Sequence, residues 1–292
     1  MNLSFKAIFG VVSCLVLLCI GLTVSLSLFL QRDLMNGDVN AIIYHTVDDM
    51  GPVWIYQYSH YRCISFVPPG YEAQTCIDLR KPKHIMFGYQ KMILAGLISV
   101  PNPQRICIIG MGGGALPSAI ADLYPEALID NIELNPKMSE YAKDFFYFQE
   151  SKNMTLHIQD GCQYIKDLPD HICYDAIIVD AFNKNYIPEA FLRLDFVNSI
   201  YRHLSVKGVA LINTFSNAPT HDLETNLYTT VFKNISDLTP LVAGEGNRVI
   251  FASKTPDIDL LSVQRQACQL TMPLIPLGLT PEQIVDMMRI ST

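Results

Sequence analysis

Three acids and a run of glycines hold the chemistry this sequence can do. Gly110, Gly112, Gly113 and Gly114 follow directly on an apolar run, residues 106–109. A strand that is apolar throughout is one buried on both faces. Residues 115–123 then carry a helical pattern, so the glycines form the turn between a strand and a helix. Such a turn lets a ligand approach the main chain closely, and the helix start points N–H groups toward whatever lies over it. Glu133 closes the next apolar segment. It stands about 20 residues after the glycines, where nucleotide-binding α/β folds place the carboxylate that accepts ribose hydroxyls. Asp160, before Gly161, and Asp180, after residues 174–179, end two further strand-like segments. Ligands of an open parallel sheet bind at the carboxyl ends of its strands. Acids at three such ends, in line with a glycine turn, describe a single site for a nucleoside. Each acid also has a purely structural reading, because Asp often caps a helix; Glu133 fits that reading least.

The elements that must position these residues alternate between strand and helix. After Glu133 come a helix over 138–148, strands over 154–158 and 174–179 with a helix over 162–168 between them, a helix over 191–204, a strand over 209–213 and a helix over 223–232. Residues 239–242 and 248–252 read as a hairpin around Gly244-Glu245-Gly246. This is the pattern of a parallel sheet with crossover helices. Upstream, residues 41–44, 53–58, 61–66 and 75–79 read as short strands, with a turn at Pro68-Pro69-Gly70. A helix over 84–98 would bury Met86, Tyr89, Met92, Ile93 and Leu97 on one face. Thr280-Pro281-Glu282-Gln283 has the form of a capped helix start. The expected division is an anchor or signal segment over 1–33, a small β module with a linking helix over 34–98, a Rossmann-like core over 99–255 and a helical extension over 256–292.

Half of the residues are hydrophobic and 17% are charged, which suits a buried parallel sheet plus a membrane segment. The net charge of −7 and the absence of a Lys/Arg run argue against a general nucleic-acid binder. Residues 7–30 hold 24 positions without a charge, long enough to span a bilayer. The reading is a single-pass membrane protein of the bacterial inner-membrane type. A cleavable signal peptide is the rival, although its apolar region is ordinarily shorter. Lys6 set against Arg32 leaves the side of the soluble body open. The eight cysteines contain no C-x-x-C pair, so neither a metal site nor a redox motif is expected. Cys63 and Cys76 could pair across a hairpin.

Five segments carry a family resemblance: residues 74–92 (QTCIDLRKPKHIMFGYQKM), 102–117 (NPQRICIIGMGGGALP), 131–136 (NIELNP), Asp160-Gly161 and 174–188 (YDAIIVDAFNKNYIP). Over roughly residues 55 to 255 the chain resembles the spermidine synthase-like (polyamine aminopropyltransferase) family, itself related to class I S-adenosylmethionine-dependent methyltransferases. The resemblance implies a Rossmann-like class I methyltransferase core behind a small N-terminal β module and, here, an N-terminal transmembrane helix. It implies decarboxylated S-adenosylmethionine, or S-adenosylmethionine itself, as co-substrate, with no metal. Gly110, Gly112, Gly113, Gly114 and Gln74 would join the donor contacts. Glu133 would hold the ribose and Asp160 the adenine amino group, with Gly161 allowing close approach. Asp180 would stand near the sulfonium carbon as general base toward a small amine. A homodimer is compatible with the resemblance.

The sequence departs from the family on the acceptor side. Gly113 stands where G-G-G-D-G-G places an Asp. Asp180-Ala181-Phe182-Asn183 replaces D-S-S-D, Tyr89-Gln90-Lys91 replaces Tyr-His-Glu, and Tyr61-Arg62 stands for a Tyr-Gln pair. A diamine is a dication and needs fixed anions in place of its hydration. A methyltransferase, or a non-catalytic protein that kept the nucleoside-binding fold, is therefore the competing reading. An NAD-type enzyme fits less, because Gly110-Met111-Gly112-Gly113-Gly114 lacks the G-x-G-x-x-G spacing.

Overall fold

In a computed structural model the described residues are 41–289, apart from 49, 71–72, 183–186, 243, 245 and 256–257. The apolar segment 7–30 lies outside them. Among the described residues no helix is long and apolar enough to cross a membrane.

The β module is an antiparallel meander of β1 (Ala41–Asp48), β2 (Gly51–Tyr58), β3 (Tyr61–Ser65) and β4 (Thr75–Asp78), in that spatial order. Cys63 and Cys76 stand opposite each other on β3 and β4 and form a disulfide. Their separation of 13 residues corresponds to about 3 kcal/mol of stabilisation in the loop-closure account. The pairing left open by the sequence is therefore made.

The larger sheet has seven strands: β5 (Arg105–Ile109), β6 (Leu128–Glu133), β7 (Met154–Ile158), β8 (Tyr174–Val179), β9 (Leu204–Phe215), β10 (Asn234–Asp237) and β11 (Asn247–Ser253). Their order is β10-β11-β9-β8-β5-β6-β7. From β7 to β9 all neighbours are parallel, and β11 and β10 run antiparallel at one side. The chain steps outward from β5 to β6 and β7, then returns to β8 on the other side. That reversal opens a crevice at the carboxyl ends of β5 and β8. Residues 106–109 and 176–179 are buried almost completely, which is why their sequences are unbroken apolar runs.

The helices are α1 (Gly88–Ile98), α2 (Ala115–Leu123), α3 (Pro136–Phe145), α4 (Gly161–Asp167), α5 (Leu194–Arg202), α6 (His221–Val231), α7 (Leu260–Gln269), α8 (Thr271–Leu277) and α9 (Pro281–Met287). Helix α1 lies against β9, β11, α7 and α9, and Met92, Ile93, Leu94, Ala95, Leu97 and Ile98 are fully buried. Two main-chain bonds tie this region to the C-terminal helices: Ile85 N–H donates to Leu277 O and Thr239 N–H to Met287 O. The capping box at Thr280 and Gln283 forms as expected.

Several boundaries differ from the sequence reading. The last hairpin uses 234–237 rather than 239–242, because Pro240 cannot donate to a ladder and Thr239 is engaged by Met287. The helix expected over 191–204 begins only at Leu194, after a separate 3-10 turn at Glu189–Phe191. Leu204 instead starts β9, which runs to Phe215. The linking helix begins at Gly88 rather than 84.

Candidate active site

The carboxyl ends of β5, β6, β7 and β8 and the inner edge of the β module enclose a cavity of about 380 Å³. Gly110, Gly112, Glu133, Asp160, Gly161, Asp180 and Gln74 all line it. The sequence singled out these residues from separate segments, and the fold brings them together. Gly113 and Gly114 do not line the cavity; both are buried beneath it.

The glycine turn is held from both sides. Gly110 has φ +93°, and a Cβ there would lie 2.1 Å from the main-chain oxygen of Asp180. A side chain is excluded by conformation and by space, so the ends of β5 and β8 can touch main chain to main chain. Gly113 is constrained differently. Its N–H donates to Thr75 Oγ1 at 3.0 Å, and a Cβ would stand 2.6 Å from Thr75 Cγ2 and 3.2 Å from the Phe146 ring. Thr75, at the start of β4, fills the space that a side chain at 113 would need. Gly113 thus has a structural role in this fold: the turn is where the β module is fastened to the core.

At the nucleoside end, Glu133 is buried and accepts two main-chain bonds, from Met111 N–H at 3.1 Å and Asn135 N–H at 2.8 Å. Burial raises its pKa against those bonds. Asp160 takes the cap role and also lines the cavity, where the adenine role would be played. Its Oδ1 caps α4 by accepting from Gln163 N–H at 2.8 Å, and the residue faces the cavity. Asp48, at the end of β1, is a wall residue that sequence reasoning missed. It accepts from Asn135 Nδ2 at 3.0 Å, linking the module to the helix that follows Glu133. The only sequence signal was a pair of acids, Asp48-Asp49, before a Met-Gly turn.

At the other end stands Asp180, partly buried, with its carboxyl pushed up to about 6 by burial against hydrogen bonds from Asn213 and Tyr89. Asn213 Nδ2 donates to Oδ1 at 2.9 Å, and Asn247 Nδ2 in turn donates to Asn213 Oδ1 at 3.0 Å. The Tyr89 hydroxyl supplies the second bond, and Gln90 Nε2 donates to that hydroxyl at 3.4 Å. Tyr89 was legible as a buried helix position and as the retained Tyr of the segment that replaces Tyr-His-Glu, and Asn213 only as the end of a strand. A polar residue closing the run Val209–Ile212 was the available signal. Arg62, aligned by sequence with a nucleoside-contacting Gln, does not reach the cavity; its Nη1 donates to Phe145 O at 3.0 Å. Position 183 lies outside the described residues.

Residues 86–244 match the family model of the spermine/spermidine synthase domain. The polyamine aminopropyltransferase of Vibrio vulnificus is 38% identical over 238 residues, which cover 80% of this chain and 79% of that protein. The chain belongs to the spermine/spermidine synthase family. Among solved structures, the spermidine synthase of Thermotoga maritima superposes with a TM-score of 0.65 at 17% identity, covering 87% of this chain and 85% of that one. Human methyltransferase-like protein 13, in complex with SAH, gives a TM-score of 0.58 at 26% identity over 65% of this chain and 93% of that one. The human eEF1A lysine and N-terminal methyltransferase is 29% identical over 191 residues, but they cover only 26% of that protein. The family thus joins the β module to a methyltransferase-type core, as the sheet order here does.

The cavity's electrostatics point one way. Asp48, Glu133, Asp160 and Asp180 line it, and no Lys, Arg or His does among the described residues. A site of this kind favours cations over phosphates or carboxylates. Among the described residues no group of His, Cys, Asp and Glu could hold a metal ion.

Proposed function

We propose that the protein transfers the aminopropyl group of decarboxylated S-adenosylmethionine to an amine, the reaction type of polyamine biosynthesis. The four carboxylates in a cavity with no basic lining residue among the described ones carry this reading. The donor is a sulfonium and an ammonium together, and its acceptor is an amine. Intact S-adenosylmethionine would bring a carboxylate into the same acidic wall, where no side-chain cation stands among the described residues.

In this reading Glu133 accepts from the ribose hydroxyls and Asp160 from the adenine amino group. Asp180 accepts a proton from the amine. The amine nitrogen then forms a bond to the propyl carbon next to sulfur. The carbon–sulfur bond breaks, its electron pair stays on sulfur, and methylthioadenosine leaves. A carboxyl near 6 is a stronger base than an exposed Asp and is still ionised at neutral pH. Tyr89 and Asn213 fix its orientation, and holding both reactants in line supplies much of the remaining rate. The uncharged segment 7–30 supports attachment of this body to a membrane as a single-pass protein.

Calorimetry with decarboxylated S-adenosylmethionine, S-adenosylmethionine and methylthioadenosine tests the donor. The decarboxylated compound is expected to bind at least tenfold tighter than the intact one. Preference for the intact donor would transfer the site to methyl-group chemistry, and no binding of any of the three would remove the enzyme reading.

A further inference from the structure

Asp180 ends a row of side chains that crosses three neighbouring strands. Asp180 follows β8, Asn213 lies near the end of β9, and Asn247 begins β11. Asn213 stands opposite Val249 in the pairing of β9 with β11, so Asn247, two residues before Val249, is its diagonal neighbour on the same face. The row has a direction. Asn247 Nδ2 donates to Asn213 Oδ1 at 3.0 Å, and Asn213 Nδ2 donates to Asp180 Oδ1 at 2.9 Å. Asn213 is only 2% exposed, so both ends of its amide need protein partners. One end donates and the other accepts. A donor that holds the oxygen therefore turns the nitrogen toward the carboxyl.

An ionised carboxylate only accepts hydrogen bonds, whereas a protonated one also donates. The nitrogen end of Asn213 suits the ionised form of Asp180, and the oxygen end would suit the protonated form. We infer that Asn247 is a positioning residue: by occupying the Asn213 oxygen, it turns the amide so that Asp180 is held ionised and able to accept a proton. Asn247 does not line the cavity and acts through Asn213. Its bearing on transfer rests on the aminopropyl-transfer reading, in which Asp180 is the base. A plain tie between β9 and β11 would fix Asn213 in place without regard to which end of the amide faces Asp180.

Asn247→Asp reverses the row. A carboxylate at 247 draws the Asn213 nitrogen, leaves the Asn213 oxygen facing Asp180, and makes the two carboxyls share one proton across the amide. Asn247→Leu removes the donor without reversing the amide. The other ionisable groups facing Asp180 among the described residues are Tyr89 on α1 and Glu133 at the end of β6, with Asp48 and Asp160 on the same cavity wall; all variants share them. The Asp180 carboxyl is titrated by carboxyl-carbon NMR in full-length protein labelled at aspartate, with Asp180→Asn to assign it and the remaining aspartate signals to report folding. The acid limb of kcat/KM is followed by methylthioadenosine release from decarboxylated S-adenosylmethionine with 1,4-diaminobutane. Asn247→Asp should raise the Asp180 midpoint by at least about one pH unit, Asn247→Leu by less than half as much, and the acid limb should follow. In an Asn213→Leu background, which has no amide to turn, Asn247→Asp should add little. An unmoved midpoint overturns the inference. So does an equal shift with and without Asn213, which would be direct repulsion between charges, and so do equal shifts from Leu and Asp, which would be lost packing. A midpoint that moves while the acid limb stays sustains the inference and removes Asp180 as the base in the functional reading.

Discussion

The two ends of the cavity are built by different means. At the end proposed for the nucleoside, main chain holds the acids in place: the Met111 and Asn135 N–H groups bind Glu133 beside the Gly110 turn, and the start of α4 binds Asp160. The transfer end is made of side chains from distant elements, Tyr89 on α1, Asn213 on β9 and Phe182 after β8, converging on Asp180. A main-chain site is specified by short local motifs and tolerates little change. A side-chain site can change its substrate by single substitutions while the fold around it stays the same. The first end keeps the glycine turn, Glu133 and Asp160 of the resemblance, with Arg62 in place of its Gln, and the second end is where most of the departures fall.

Substitutions at the two ends should separate cleanly. The largest effect is expected at Asp180→Asn, which should lower kcat by on the order of 10²–10⁴-fold and leave the donor Kd within about threefold. A matching loss of donor affinity would mean that Asp180 belongs to the nucleoside end. The same variant carries a stability sign. The folded pKa of about 6 lies above the ordinary value of 3.8. The contribution to stability is thus fully present below the unfolded pKa and lost as pH rises through about 6. Removing the ionisable group should therefore raise the Tm at pH 8, by up to roughly 3 kcal/mol of stability, and do little at pH 4.

Glu133→Gln is the converse. It should weaken donor binding on the order of 10–100-fold, as expected for losing hydrogen bonds to a charged buried acceptor, with kcat at saturating donor nearly unchanged. A collapse of kcat at saturation would break the division between the ends. A smaller effect belongs to Tyr89→Phe. Its hydroxyl lowers the Asp180 pKa, so its loss moves the acid limb of kcat/KM upward from about 6; an unmoved limb would show that the bond is absent in solution. The smallest effect tests the seam between module and core. Gly113→Ala should cost about 1–3 kcal/mol through overpacking, read as a lower Tm. Thr75→Ser, which removes the Cγ2 methyl and keeps the hydroxyl, should restore part of it. Independent, additive effects would show that the two positions do not touch.

The same contrast explains what the sequence could and could not reveal. The strand–glycine–helix run, Glu133, Asp160 and Asp180 were legible because each sits at a fixed offset from a local pattern. The sheet could be read because β5 and β8 are apolar without interruption. Tyr89 and Asn213 were not legible as a pair, since they lie on elements more than a hundred residues apart and meet only through the carboxylate between them. The packing of Gly113 was not legible, because nothing local shows that Thr75, in another module, occupies the space beside it. The 234–237 strand was displaced to 239–242 because the apolar run past Pro240 outweighed the backbone rule against it.

Helix α1 has a consequence for how the chain is made. It follows the β module closely and leaves the ribosome early, yet it is covered by β9, β11, α7 and α9. The segment just before it is tied down by Leu277, whose carbonyl accepts from Ile85 N–H. Contacts of such long sequence separation form late, because the intervening loop must close first. The meander from β1 to β4 is local and can assemble while the core is still being synthesised. The apolar face from Met92 to Ile98 has to wait, exposed, for nearly the whole remainder of the polypeptide. During synthesis this face is the surface on which a chaperone would act, and loss of the last helix would remove part of its cover.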